Sequence, residues 1–187
     1  AGIERFGTAP PDTLAVELLP QPVNSDDSEF APRIGPDGRL YFSSLRGDTE
    51  ADGTVRDTAH YRSRILRTAL DSDPLQEPEP LFPPSDADLA NAAWSLDSAW
   101  FYFSLCPRNA GCRLHAAPWE NGQLGKVRPL AGLDHLASST QPMVGTIDGV
   151  STLFFTAPGT DGSGHTDIWW ARIDGATTTD PKPLPAP

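Results

Sequence analysis

The sequence has 187 residues, with 14 Lys and Arg against 25 Asp and Glu and a formal net charge of −11. No run of 18 apolar residues occurs, so no transmembrane span is predicted. An acidic chain without a basic stripe is a poor match for nucleic acid or for an anionic membrane surface. The 20 Pro and 16 Gly favour short strands joined by turns over a helical protein.

The first part of the chain predicts an arm followed by one strand. Residues 1–13 form the predicted N-terminal arm, and Leu14–Pro20 is predicted to be the fourth strand of a preceding sheet. The chain opens at Ala1 without Met or a basic and apolar leader, which indicates a processed protein or a fragment.

A short block then recurs three times. It consists of an apolar strand, a turn with Asp or Gly, and a second strand that ends in two aromatic residues. The copies are 30–44, 91–104 and 140–156. The aromatic pairs are Tyr41-Phe42, Tyr102-Phe103 and Phe154-Phe155. Self-similarity at a period of roughly 40–50 residues indicates an array of structural repeats.

Each copy continues into two further predicted strands. The third strands are Tyr61–Leu70, Cys112–Trp119 and Thr166–Ile173, and a Pro-Leu pair marks each fourth strand, at Pro80, Pro129 and Pro183. Four strands per unit is the blade of a β-propeller. We therefore predict an all-β fold with three four-stranded antiparallel blades, at about 25–83, 86–132 and 137–185, plus one N-terminal strand. Three blades do not close a ring, so the prediction is a partial or multi-chain propeller whose open edges are covered by a protein partner or a second copy.

Two predicted loops are long, polar and acidic, at 46–60 and 157–165. Long loops on a rigid scaffold commonly carry recognition, although solvated hairpin loops have the same composition. The predicted partner-contact residues in these loops are Asp48, Asp52, Asp57, Asp161 and His165.

The two cysteines, Cys106 and Cys112, stand at the two ends of a predicted hairpin loop. Cross-strand Cβ atoms in a hairpin approach disulfide distance, so we predict a disulfide, with two free thiols as the alternative. Oxidation would place the protein outside the cytoplasm, in the periplasm or at the cell surface.

The other polar residues do not form a catalytic or metal-binding motif, and no catalytic residue, cofactor or metal ligand is predicted. Acidic connections before each first strand, at 26–27, 86–88 and 134–135, suggest either solvated loop charge or a weak binding rim. Asp37 and Asp148 precede Gly, as tight turns require. Asp167 is predicted to be structural. The five tryptophans are predicted to pack between blades, with an exposed, sugar-stacking aromatic as the alternative.

The block Ile34-Gly-Pro-Asp-Gly-Arg-Leu-Tyr-Phe-Ser-Ser44 resembles the TolB-type, or WD40-like, propeller repeat. The aromatic strand that leads into Cys106 and Cys112, and the Gly-rich loop before Asp167-Ile-Trp169, are similar to propeller domains of OmpA-type bacterial cell-envelope proteins. That resemblance, over about residues 14–185, implies a propeller. The sequence departs from the repeat at Leu96-Asp97-Ser98, where Pro-Asp-Gly is expected, and no OmpA-type domain is present.

The sequence therefore predicts a non-catalytic, extracytoplasmic scaffold that binds a protein partner in a cell-envelope or membrane-associated assembly, and no enzyme. The first alternative is a glycan- or peptidoglycan-binding propeller module. The second is a fragment of a propeller hydrolase whose catalytic parts lie elsewhere.

Overall fold

A computed structural model describes residues 17–46, 62–160 and 164–185. Within these ranges the chain is all β-strand and turn, in three separate antiparallel sheets. The alternation of apolar residues at a period of two predicts strands of this kind. No helix of the described residues is long and apolar enough to cross a membrane.

The first sheet, blade 1, has strands in the order of the chain. They are β1 (Glu29–Ile34), β2 (Leu40–Ser44), β3 (Arg64–Thr68) and β4 (Glu79–Pro80). The turn between β1 and β2 contains Pro36-Asp37-Gly38, where Gly38 has a φ of 77°. This is the left-handed conformation for which the Asp-Gly pair is suited.

The second sheet, blade 2, has the same order and a divided fourth position. Its strands are β5 (Asp88–Trp94), β6 (Trp100–Cys106), β7 (Arg113–Glu120), β8 (Gln123–Leu124) and β9 (Arg128–Pro129). Both short strands pair with β7, so the outermost position is shared between a hairpin and the Pro129 segment.

The third sheet, blade 3, is the most regular. Its strands are β10 (Thr140–Ile147), β11 (Val150–Pro158), β12 (Thr166–Asp174) and β13 (Thr177–Pro183). The predicted all-β architecture of consecutive four-stranded antiparallel blades is confirmed.

The N-terminal segment differs from the prediction of a fourth strand. Residues 17–28 form turns and bends rather than a strand, and residues 14–16 of the predicted strand, like the arm at 1–13, lie outside the described residues. Leu18 and Leu19 are exposed, whereas Val23 is buried against Leu40, Phe42 and Leu66 of blade 1.

The blades stack through two shared cores. Tyr41 and Ile65 of blade 1 pack with Phe101 and Phe103 of blade 2, and Tyr102 and Leu114 of blade 2 pack in the same way with Leu153 and Phe155 of blade 3; every one of these residues is buried. A sheet that is apolar on both faces needs a neighbouring sheet on each side to bury those faces, and the blades of a propeller pack in this way.

The first strands of successive blades also contact one another, β1 with β5 and β5 with β10. We call the surface that these three strands form the inner wall, because the innermost strands of a propeller line its central channel.

Candidate functional site

The inner wall contains a repeated backbone feature. Each first strand carries a β-bulge, and in each bulge one residue other than glycine is left-handed: Ala31 (φ 51°), Asn91 (φ 63°) and Gln141 (φ 56°). Such a conformation costs of order 1–3 kcal/mol and persists where the surroundings impose it. The three positions are equivalent, since each follows the residue that pairs with Ser43, Ser104 or Thr156 of the second strand.

Serine hydroxyls of the preceding blade hold two of these residues. The amide of Asn91 donates to Ser43 Oγ at 3.0 Å, and the amide of Gln141 donates to Ser104 Oγ at 2.9 Å. Both serines are fully buried, at 0% and 1% exposure. We call this hydrogen bond between blades the serine joint.

The second serine joint also brings two side-chain amide residues together. Ser104 Oγ accepts from Asn91 Nδ2 at 3.3 Å as well as from the backbone amide of Gln141. The carboxamide of Asn91 and the backbone of Gln141 are therefore bound to one atom. Carboxamides supply both donors and acceptors and carry no charge, so they suit a ligand rich in oxygen.

Further along the same strands, the inner wall forms a groove of about 320 Å³. It is lined by Arg33, Ile34, Ala93, Trp94, Met143 and Val144. Trp94 is fixed by edge contacts with Tyr41, Phe101 and Trp119, with ring centroids 4.8–5.6 Å apart. Its Nε1 is buried and has no acceptor among the described residues.

Arg33 supplies the charge of this groove. Its side chain is exposed at the wall, and it forms no ion pair with a carboxylate of the described ranges. The groove therefore combines a guanidinium with the apolar surface of Trp94 and Met143. Such a surface suits a compact ligand with one apolar side and one anionic or carbonyl group.

The predicted acidic rim lies in the three connections that precede the first strands. Asp26, Asp27, Asp134 and His135 are exposed there, and Asp86 is exposed beside Arg62, 3.9 Å away. Asp88 is different, because its Oδ1 accepts a hydrogen bond from the amide of Ser63 at 2.7 Å and so ties blade 2 to blade 1.

At the strand ends opposite to the acidic rim, two tyrosine hydroxyls bind residues of the turns. Tyr41 Oη donates to Asp37 at 2.7 Å, and Tyr102 Oη donates to the carbonyl of Gly175 at 2.8 Å. Burial and the neighbouring carboxylate of Asp37 raise the pKa of Tyr41 well above its usual range. Burial, together with the charges of Asp97 and Asp174, does the same to the pKa of Tyr102.

The predicted partner-contact residues fall mostly outside the part of the chain that the structure describes. Asp48, Asp52, Asp57 and Asp161 lie there. His165 is exposed, and its carbonyl accepts from the amide of Gly159 at 2.8 Å across the loop. Partner contact at these five residues stays a prediction.

The predicted disulfide is confirmed. Cys106 and Cys112 are joined, with Cα atoms 4.0 Å apart, between the end of β6 and the start of β7. The tryptophans Trp119 and Trp169 pack in the two shared cores, and Trp170 is partly exposed with the ammonium group of Lys182 4.3 Å from its ring.

Sequence reasoning missed the serine joint. Asn91 carries a weak signal, since asparagine adopts the left-handed conformation more readily than most residues. Ala31 and Gln141 carry none, and the accepting serines lie 48 and 37 residues away from the amides that they bind.

No protein-family model matches this chain, and the comparison with curated proteins finds no match. Among solved structures, the chain is similar to a gluconolactonase from Xanthomonas campestris, with a TM-score of 0.49 and 18% sequence identity. The likeness covers 82% of this chain and 47% of that one, so this chain spans about half the length of the similar structure.

This comparison corrects two predictions. The sequence predicts a non-catalytic scaffold and no enzyme, whereas the similar structure is that of an enzyme. The reason for the error is physical. The prediction rested on the absence of a local catalytic motif, but a propeller assembles its site from loops and inner strands that are far apart in sequence.

Proposed function

We propose that this chain forms part of the channel of a β-propeller hydrolase and that its inner wall binds a small, oxygen-rich substrate. The observation that carries the proposal is the pair of left-handed residues Asn91 and Gln141 on the inner wall, where the Asn91 carboxamide and the Gln141 backbone amide both donate to Ser104. Backbone strain of this kind clusters at functional sites.

The chemistry that these residues suit is the stabilisation of a developing oxyanion. Hydrolysis of an ester or lactone places negative charge on the former carbonyl oxygen. Preorganised N–H donors next to that oxygen lower the barrier, and removal of one donor typically costs about 10²–10³-fold in rate. Asn91 Nδ2 has a second N–H beside the one that Ser104 accepts, and the carboxamide of Gln141, an exposed residue, supplies two further N–H donors.

The groove beside them supports the substrate class. Trp94 and Met143 offer an apolar surface, and Arg33 offers a charged donor for an anionic or carbonyl oxygen. A hydroxylated cyclic ester combines these features in one small molecule.

Two finer assignments belong to the same proposal. The Pro36-Asp37-Gly38 turn before the Tyr41-Phe42 strand supports a TolB-type repeat. The disulfide between Cys106 and Cys112 supports an extracytoplasmic location, since disulfides persist in oxidising compartments.

The test is a hydrolysis assay on a panel of aryl esters and aldonolactones, read by a pH indicator. Asn91→Gly and Gln141→Gly each remove a carboxamide from a left-handed position. Asn121→Gly is the matched control, because Asn121 is also left-handed (φ 51°) but lies in the turn between β7 and β8.

We expect both inner-wall variants to lose at least about 10-fold in kcat/KM and the control to keep the activity of the wild type. Absence of turnover on the whole panel, or equal rates for all three variants, would contradict the proposal. Saturable sugar binding without turnover would favour the glycan-binding alternative.

A further inference from the structure

The three blades use one face in the same way, and the third blade leaves that face uncovered. We call the side of a blade that points to the next blade its forward face. In blade 1 the forward face contains Tyr41, Ser43 and Ile65; the equivalent residues of blade 2 are Tyr102, Ser104 and Leu114. Each of these six residues is at most 2% exposed, because the next blade covers it.

The equivalent residues of blade 3 are open to solvent. Strand pairing places Phe154, Thr156 and Ile168 at these positions. Phe154 and Thr156 are partly exposed, and Ile168 is 53% exposed, against 1% for Ile65 and 2% for Leu114. The forward face of blade 3 is thus an apolar surface of the kind that this chain buries twice.

Blade 1 carries the complementary surface, also uncovered. The residue after the left-handed position is buried in blade 2 (Ala92) and in blade 3 (Pro142), but Pro32 of blade 1 is exposed, as is Ile34. Among the residues that the structure describes, no serine or threonine hydroxyl accepts from the amide of Ala31, although the equivalent amides of Asn91 and Gln141 each have one.

Blade 1 resembles the other two blades in having a connecting segment that packs on it. Val23 packs on Leu40 and Phe42 of blade 1, as Leu133 and Leu136 of the preceding connection pack on blade 3. Leu81 and Phe82 of the connection before blade 2 pack in the same way, so each of the three units has its own packed connection. Among the described residues, no forward face lies against blade 1 and no first strand covers the forward face of blade 3.

We propose that two copies of this chain associate head to tail, with blade 1 of each copy on the forward face of blade 3 of the other. In the resulting serine-joint equivalent, the amide of Ala31 in one copy donates to Thr156 Oγ1 in the other. Thr156 Oγ1 already pairs with Thr140 Oγ1 at 2.7 Å and retains capacity to accept an amide.

The two contacts are related by a two-fold axis, and together they close a ring of six blades. This number lies inside the range of four to eight that propellers use. Closure also removes both exposed faces, which on an open array would invite aggregation. The proposal concerns assembly and stands independently of the proposed hydrolase activity.

The first test is the native mass by light scattering coupled to gel filtration at physiological salt. We expect the wild type at twice the chain mass of 20.1 kDa and Ile168→Glu at 20.1 kDa. Leu96→Glu is the matched control: Leu96 is 57% exposed in the turn between β5 and β6, away from both faces, and this variant should remain a dimer. Circular dichroism confirms that each variant is folded.

Ile34→Glu tests the same contact from blade 1 and should also give the single-chain mass. A wild type that elutes as a single chain, or a dimer that survives both Ile168→Glu and Ile34→Glu, would overturn the proposal.

The second test fixes the orientation. A variant with both Ala31→Cys and Thr156→Cys should form an intermolecular disulfide on a non-reducing gel, whereas either single variant should not. Crosslinking of Thr156→Cys alone would mean a face-to-face pair and would overturn the head-to-tail arrangement.

Discussion

At the scale of single residues, the turns between first and second strands of blades 1 and 2 differ in one informative position. Gly38 is left-handed in blade 1, and Ser98 occupies the equivalent place in blade 2 with a φ of 61°. The departure from Pro-Asp-Gly that the sequence shows at Leu96-Asp97-Ser98 therefore changes the residue and not the turn. The cost is backbone strain at Ser98.

Ser98→Gly should raise the free energy of unfolding by about 0.5–1 kcal/mol, because strain relief exceeds the added freedom of the unfolded chain. Gly38→Ser is the reverse control and should lower it by a similar amount, since a Cβ at Gly38 meets nothing within 4 Å and acts through conformation alone. Urea denaturation measures both. A loss of stability in Ser98→Gly would contradict this reading.

The hydroxyl of Ser104 can be compared with that of Ser72. Ser104 Oγ accepts two hydrogen bonds, whereas the buried Ser72 Oγ has no partner among the described residues. Ser104→Ala should cost about 1–3 kcal/mol, because it leaves two donors unpaired. Ser72→Ala should change stability by no more than about 0.5 kcal/mol. Equal effects in denaturant titrations would argue against a serine joint.

Two buried tyrosines make stability depend on alkaline pH. The pKa values of Tyr41 and Tyr102 are raised above the ordinary 10.0, so the folded state keeps these protons at a pH where the unfolded chain releases them. Their contribution to stability is complete below pH 10 and declines as the pH rises above it.

Unfolding measured between about pH 8 and 11.5 should show this decline. It should be shallower in Tyr102→Phe, a change that the structure accommodates because Phe154 occupies the equivalent position in blade 3. Parallel profiles for the two proteins would contradict the assignment.

At the scale of the elements, the disulfide closes the hairpin between β6 and β7. In the chain-entropy model a loop this short stabilises the fold by about 2 kcal/mol. The double variant Cys106→Ser/Cys112→Ser should lose that amount, and reductant should lower the unfolding midpoint of the wild type but not of the variant. Unchanged unfolding of the wild type in reductant would show that the bond adds no stability.

The strands could be predicted from the sequence because the local alternation of apolar residues determines where strands form. The aromatic pairs at Tyr41-Phe42 and Tyr102-Phe103 stand in β2 and β6, and the turn residues stand between the strands as expected. The N-terminal strand failed over residues 17–20 because Leu18 and Leu19 are exposed there instead of pairing in a sheet, while Val23 of the following turn packs on blade 1. An apolar run does not say which of these it does.

The inner wall could not be read from the sequence in the same way. Its left-handed residues depend on hydroxyls 37 and 48 residues away, and a lone Ala31 or Gln141 gives no sign of such a conformation. The groove likewise joins Arg33, Trp94 and Met143, one from each blade. A site formed by residues of several repeats can be recognised only once the packing of the repeats against one another is known.

At the scale of the whole molecule, the three units form one repeated module that packs face to face twice and, among the described residues, leaves one face of blade 1 and one face of blade 3 exposed. The proposed activity and the proposed ring are separate, but both involve the inner wall, where the first strands of blades 2 and 3 each donate a hydrogen bond to the blade before them. Two copies would complete the channel with a second set of inner-wall residues.

Amide hydrogen exchange at Gln141 tests this arrangement most directly. In the wild type the Gln141 amide should exchange at least about 10-fold more slowly than amides of exposed turns, because Ser104 Oγ accepts it in a buried joint. Ser104→Ala should accelerate exchange at Gln141 and leave Asn91, which donates to Ser43, protected. Rapid exchange at Gln141 in the wild type would contradict the serine joint and the stacking that it holds.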